Sequence, residues 1–556
     1  MSIHRPFLQN IRDYASWTTI AFTVIAGAVI VPCYKGVLFA IRNFTSPLHA
    51  LPGPPSTHFF WGVMKDIFKV EHSVLQEQWM DQYGPTISYT GMLGIPRLWT
   101  VDPRAINHIL TNSYAYQKTS ESRFVLARVV GPGLLVAEED QHKHQRRVLN
   151  PAFGPVQVRE FTEVFVEKSK ELRDRWLSVI AKSGTEQVEL DGLSWLSKAT
   201  LDIIGLTGFG YDFDSLNPEG NQDELSEAFH ASLKISTFSA VIGFLQAFVP
   251  LLRIFKTKNQ RLIEEAQRVM RRIGMQLIAE KKASILGTGE QKKIGRKDVV
   301  GRDLLTLLIK ANMATDIPES QRLTDEEVLA QVPTFIVAGH ETTSTGTMWT
   351  LFSLTQHPEV QRKLREELLT VTTETPTMEQ LQALPYLDMV VKESLRYHAP
   401  VPMTVRTAIN DDIIPCSMTY TDRHGVRRDH IPVAKGDIII IPILAMNRYK
   451  QFWGEDAKEF RPERWENTPE AINSIPGVYG NIISFIGGPR SCIGYRFSLI
   501  EMKALLFVLV RSFEFELAVP ADKIKKKTAI VQRPIVVGDE KEEPKMPLLI
   551  KAYVRA

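Results

Sequence analysis

Apolar positions in this chain recur mostly three and four residues apart, the period of helices that bury one face. The segment "VQVREFTEVFVEKSKELRDRWLSVIA", residues 156–181, follows that spacing with charges between, and "QRLIEEAQRVMRRIGMQLIAEKKASIL", residues 260–286, repeats it. "LTDEEVLAQVPTFIVAGHETTSTGTMWTLFSLTQH" predicts one long helix, with Thr324 as N-cap and Glu327 closing a capping box. "PTMEQLQALPYLDMVVKESLRYH" predicts another, as does "YRFSLIEMKALLFVLVRSF" after Gly494. Strand patterns are fewer: "TISYTG" near Thr86, "GDIIIIPIL" from Gly436 and the alternating "FEFEL" from Phe513. Polar "GTGEQKKIGRKD", residues 287–298, reads as an exposed loop. The predicted fold class is mainly α with a small β portion (α+β), with no internal repeat.

The N-terminus has a different pattern. Between Asp13 and Lys35 lie 21 residues without a charged side chain, and a helix needs about 20 to cross the hydrocarbon core. This predicts a single N-terminal transmembrane helix, about residues 14–34, within an anchor of residues 1–50. Arg5 and Arg12 before the span balance Lys35 and Arg42 after it, so charge does not choose the orientation. "LPGPPS", Leu51 to Ser56, is a stiff proline-rich hinge. Residues 57–556 form the expected catalytic domain.

Composition adds exclusions. The chain has 556 residues, 44% hydrophobic and 23% charged, with net charge +3. That near-balance gives no footing for a nucleic-acid partner. Three cysteines make neither a disulfide framework nor a zinc module. Cys33 lies in the apolar N-terminal run and Cys416 in an irregular stretch, but Cys492 sits in "FIGGPRSCIG". Arg490 and the amides at the start of a helix favour a thiolate there. Gly487, Gly488 and Gly494 let backbone amides come close to it.

Phe485, Gly488, Arg490, Cys492 and Gly494 reproduce F-x-x-G-x-R-x-C-x-G, which resembles the heme-ligand signature of the cytochrome P450 family. The resemblance implies the cytochrome P450 fold and heme b (iron protoporphyrin IX), with Cys492 as the axial ligand of its iron. A thiolate ligand pushes electron density onto iron and favours O–O cleavage. Ala338-Gly339-His340-Glu341-Thr342-Thr343 resembles the family's oxygen-activating A-G-x-[DE]-T. By that resemblance Thr342 supplies a hydroxyl at the oxygen and Glu341 an acid linked to solvent. His340 occupies the variable position and is not expected to be a ligand. Gly339 costs about 1 kcal/mol in mid-helix relative to alanine, a cost expected to open a groove for dioxygen.

Glu393 and Arg396 form E-x-x-R, and "EFRPERW" supplies Arg464, with Trp465 where the family has phenylalanine. These three are implied to join in a buried structural network that holds the cysteine loop. "HKHQRRVLNPAF" is similar to the family's W-x-x-x-R helix, with His142 in place of tryptophan and Arg146 matching. With Arg406 and Arg490 they are implied to meet the heme propionates. Lys143 and Lys503 are candidate surface cations for an acidic electron donor. The implied pocket is lined by residues 124–135, Phe335, Ala338 and residues 401–404, under a cover at residues 238–248.

The resemblance runs from about Leu51 to the C-terminus. Wording such as "VLNPAF", "AGHETTS" and "NRYKQFWGEDAKEFRPERW" is most like fungal microsomal members. It implies a membrane-bound monooxygenase of the endoplasmic reticulum, facing the cytosol, that inserts one atom of O2 into a lipophilic small molecule. NADPH-cytochrome P450 reductase is the implied electron donor, since this chain carries no flavin or nucleotide fingerprint. Fungal secondary-metabolite chemistry, terpenoid for example, or xenobiotic oxidation would be its setting. A heme-thiolate isomerase or peroxygenase of the same fold is one alternative, against which Glu341 and Thr342 speak. A heme-free interaction protein on the same scaffold is another.

Overall fold

The computed structural model describes residues 36–217, 256–287, 303–313, 322–528, 530–539 and 543–554, with a few single positions besides. The charge-free run 14–34 falls almost wholly outside the described residues, and among those described no helix is long and apolar enough to cross a membrane. Residues 288–298 of the expected loop and most of the expected pocket cover also lie outside them. The proline-rich segment is fastened to the body that follows. Pro52 O accepts from Ser88 N at 2.8 Å, Arg423 Nε donates to Leu51 O at 2.8 Å, and Leu51 is buried.

Seven long helices build and position the site: α1 (Glu139–Leu149), α2 (Pro155–Ser183), α3 (Gly192–Phe209), α4 (Gln331–Gln356), α5 (Pro358–Leu369), α6 (Pro385–Tyr397) and α7 (Tyr495–Ser512). Helix α4 is central, and α3, α6 and α7 pack against it. Edge-on aromatic contacts of Phe497 with Phe161 and Phe165 fasten α7 to α2, the second at 4.7 Å.

Two helices predicted whole are each in two pieces, and proline is the reason both times. The Thr324/Glu327 capping box is present, but it starts a short helix, Asp325–Leu329, that ends before α4. Pro333 has no N–H to donate to the carbonyl four residues back, at Leu329. Likewise Met378–Gln382 and α6 are separated at Leu384, which adopts an extended ψ of 99° ahead of Pro385.

The strands are β1 (Thr86–Thr90), β2 (Pro96–Thr100), β3 (Tyr116–Gln117), β4 (Gln187–Asp191), β5 (Thr404–Ala408), β6 (Asp412–Thr421), β7 (Arg427–Val433), β8 (Ile438–Ile441), β9 (Phe513–Leu517), β10 (Ile524–Thr528), β11 (Gln532–Val536) and β12 (Pro547–Ala552). The largest sheet runs β1-β2-β8-β5-β3, with only β2 and β8 parallel. A second, β4-β12-β9, ties the C-terminus to α3, and β6-β7 and β10-β11 are hairpins. All three predicted strands form. Neither hairpin was predicted: charged and proline positions hide the alternation in "KKKT" and "QRPIV" of β10-β11, and Cys416, read as lying in an irregular stretch, is in β6.

Candidate active site

The cysteine loop is built from its backbone. Cys492 N donates to Phe485 O at 2.9 Å, and Ser491 N donates to Gly488 O at 3.1 Å, folding residues 485–492 into a tight turn just before α7. Gly488 has φ +70°, and a Cβ there would lie 2.6 Å from Leu110 O. Only glycine meets both demands. Gly494, by contrast, has an ordinary φ of −91°, and a Cβ there would meet only the Phe153 ring, at 3.7 Å. Ile486 adopts φ +47°, a left-handed conformation that costs a β-branched residue about 1–3 kcal/mol.

A polar network holds that turn. Arg396 uses all five N–H groups: two on Glu393 (2.9 and 2.8 Å), and one each on Asn447 O, Ala457 O and Glu459 O (3.0, 2.6 and 2.9 Å). Arg464 Nε reaches the same carboxylate at 2.9 Å, as does Trp465 Nε1 at 3.1 Å. So the tryptophan that departs from the family pattern gains a donor here. Glu393, Arg396 and Arg464 are fully or almost fully buried. Asn447, which the motif reading passed over, links the network to the loop. Its side chain accepts from Ile483 N at 3.0 Å and donates to Ser484 Oγ at 2.8 Å, two residues and one residue before Phe485. This asparagine opens "NRYKQFWGEDAKEFRPERW", but no charge marks it, and its link to the loop follows only from its place in the fold.

Cys492 itself remains accessible. The protein packed around the sulfur desolvates it and pushes the thiol up, while the Gly494 N–H and the Arg146 guanidinium oppose this by favouring the thiolate. Arg146 donates to Ser491 O and lies 3.4 Å from Ser491 Oγ, so it braces the loop from α1.

Helix α4 packs against α7, the helix that follows the loop, and forms a second wall. It is buried for most of its length, but Ala338, Gly339 and Thr342, spaced three and four apart on one face, stay open. The Phe153 ring connects the two walls, lying against Gly494 and edge-on to Phe335 at 5.3 Å. Thr342 Oγ1 donates to Ala338 O at 2.7 Å, leaving its lone pairs on the open side. The groove expected at Gly339 is differently used. A Cβ there would lie 3.0 Å from Ile204 Cγ1 and Cδ1, so this glycine lets α3 close onto α4, and Ala338 is the more open position. His340 is buried, with Nδ1 2.9 Å from Ile336 O, and serves the helix.

Beside the loop lies a cluster of cations with little to neutralise it. Arg490 pairs with Glu138 and donates to Ala137 O at 2.8 Å, but its Nε has no partner. Arg406 is 2% exposed and donates only to Thr404 Oγ1 (2.7 Å) and Val405 O (2.9 Å), with no carboxylate partner among the described residues. Burial and then Arg490 pull it down to about 10. His142 is buried and held down at about 3 by burial and by Arg490, Lys118 and Arg146. Lys118, absent from the motif reading, joins them at 3.8 Å from Glu138 and is lowered to about 7 by burial, Arg406 and Arg490. Burying Arg406 and Arg490 around one carboxylate, while Lys118 and His142 are pushed toward their neutral forms, is costly unless an anion enters.

An accessible sulfur just before α7, flanked by those buried basic side chains, suits an anionic metal-bearing cofactor held by one cysteine. The comparisons identify which class of such protein this is. The profile of the family described as Cytochrome P450 matches residues 52–537. Cytochrome P450 monooxygenase 205 of Postia placenta is 54% identical over 95% of this chain and 97% of its own length. Cytochrome P450 monooxygenase claQ of Ampulloclitocybe clavipes is 35% identical over 98% of this chain and 99% of its own. A ganoderic acid synthetase of Ganoderma lucidum is 34% identical over 96% and 99%. The chain belongs to the cytochrome P450 family, and it is a heme-binding monooxygenase.

The residues fit that group. Cys492 would supply the thiolate, and Arg406, Arg490, His142 and Lys118 would meet the two propionates. This gives a test with opposite signs. Arg406→Leu removes a buried charge that repels Arg490, so the heme-depleted protein unfolds at a higher temperature. A hydrogen bond to a charged group contributes about 1.5–3 kcal/mol, so heme loss to excess apomyoglobin becomes about ten- to hundredfold more favourable. Lys503, by contrast, is no surface cation. It is buried and donates to Asp388 Oδ1 at 2.8 Å, whereas Lys143 on α1 is exposed.

Proposed function

We propose that this enzyme oxidises a lipophilic small molecule with O2 and with electrons from NADPH delivered by a diflavin reductase, in fungal secondary metabolism. The heme supplies the iron at which O2 is activated. The chain's own residues do the rest. Cys492 would ligate the iron, Ala338 leaves room, Thr342 offers a hydroxyl beside that room, and the neighbouring Glu341 is the nearest acid on the helix.

One observation carries the substrate class. The positions left partly open around the cysteine loop and α4 include apolar Ala338, Val401, Met403, Val405 and Phe485, with the uncharged hydroxyls of Thr342, Thr404, Ser484 and Ser491 among them. A largely apolar pocket with few polar groups binds by burial of hydrophobic surface. A relative named for ganoderic acid synthesis is consistent with this reading. The same reading places the chain in the endoplasmic reticulum membrane through residues 14–34, with the catalytic body on the cytosolic side.

Titrating the ferric enzyme with lipophilic compounds should shift its heme absorption, and those compounds should give oxygenated products with reductase and NADPH. Products formed with hydrogen peroxide but never with NADPH and reductase would overturn the electron source. A response to hydrophilic compounds alone would overturn the substrate class.

A further inference from the structure

Glu341 is bound at both oxygens. Oε2 accepts from Arg533 Nε at 2.9 Å and from its Nη2, and Oε1 lies 3.2 Å from His340 Nε2. Arg533 belongs to β11, 192 residues away in sequence. The strand is fixed to the core at the preceding residue, where Gln532 O accepts from Trp349 Nε1 at 2.7 Å and Gln532 N donates to Pro400 O at 2.9 Å. So the guanidinium projects from an anchored backbone, and its two donors on one oxygen restrict the carboxylate strongly. Its side chain is 28% exposed against 12% for Glu341, so Arg533 bridges solvent and a buried acid. Burial pushes Glu341 up, but His340 and Arg533 outweigh it and bring the carboxyl to about 2. The acid is therefore ionised, with Thr342 as its next neighbour in the chain.

We propose that Arg533 is a positioning residue for oxygen activation: it holds the Glu341 carboxylate between solvent and the Thr342 hydroxyl and so sets how fast protons enter the site. No sequence motif points to Arg533. Only the return of the C-terminal hairpin to the middle of α4 brings it there. The inference rests on the monooxygenase activity of the chain and is independent of the substrate's identity.

The test uses the full-length holoenzyme, with NADPH and a diflavin reductase that supports the unaltered chain, and compares oxygen consumption in H2O and D2O. Positioned acid–base groups contribute about 10²–10⁴-fold, and a residue acting through one of them should contribute less. Arg533→Met is expected to slow consumption about tenfold and to enlarge the H2O/D2O rate ratio, because proton entry becomes limiting. Arg533→Lys should restore most of the rate. Glu341→Gln should behave like Arg533→Met, and the double variant should be no slower than either alone. A carbon monoxide difference spectrum checks that each variant keeps its heme. If Arg533→Met loses heme, Arg533→Gln takes its place in the comparison. An isotope ratio equal to that of the unaltered enzyme in a heme-replete Arg533 variant overturns the proposal, as do multiplicative effects in the double variant.

Discussion

Replacing Cys492 by alanine should abolish the red-shifted carbon monoxide band that thiolate ligation gives, and with it monooxygenase turnover. The loop is closed by backbone hydrogen bonds, Cys492 N to Phe485 O among them, and alanine keeps that N–H. So the turn should persist while the ligand is lost. Far-ultraviolet circular dichroism should therefore match the unaltered chain. Among the described residues the sulfur has no second candidate, since Cys416 is buried in β6 and burial, with Asp102, pushes its thiol up to about 12. Cys492→Ser should lose the band too, because a serine hydroxyl is a far poorer donor to iron than a thiolate. A band of unchanged position in either variant would show that the iron is held elsewhere.

The second large effect should come from Arg396→Leu. The substitution leaves Glu393 with fewer donors in a fully buried site and strips Asn447 O and Ala457 O of the N–H groups they accept from, while Glu459 O keeps only Arg464. Breaking one member of a buried ion pair costs about 3–5 kcal/mol, against a total stability of about 5–15 kcal/mol for a typical domain. The expected result is little or no heme in the purified protein and a markedly lower unfolding temperature. Arg396→Lys should not rescue it. An ammonium offers three donors from one point and cannot span five acceptors around a planar fork. Because Asn447 joins this network to Ile483 and Ser484, Asn447→Ala should give a milder form of the same defect: heme incorporation falls while the secondary structure is kept. Normal heme content in Arg396→Leu would mean that the network does not hold the cysteine loop.

Much of this protein could be read from local pattern, because the physics that decided it is local. Helical periodicity located α2, α4 and α7, since burying one face is a property of a dozen neighbouring residues. The signature around Cys492 survives as a string because a tight turn confines ligand, cation and glycines to ten positions. Proline at 333 and 385 divided helices whose apolar pattern runs on unbroken, an effect visible only when backbone donors are counted. What the sequence could not supply was encounter at a distance. Asn447 meets the cysteine loop, Lys118 joins the cation cluster and Arg533 grips Glu341 through packing of elements far apart in the chain. Gly339 serves helix packing only because Ile204 of α3 arrives there. Such contacts depend on which faces of separate elements are buried together, a cooperative outcome of the whole core that no short window of residues encodes.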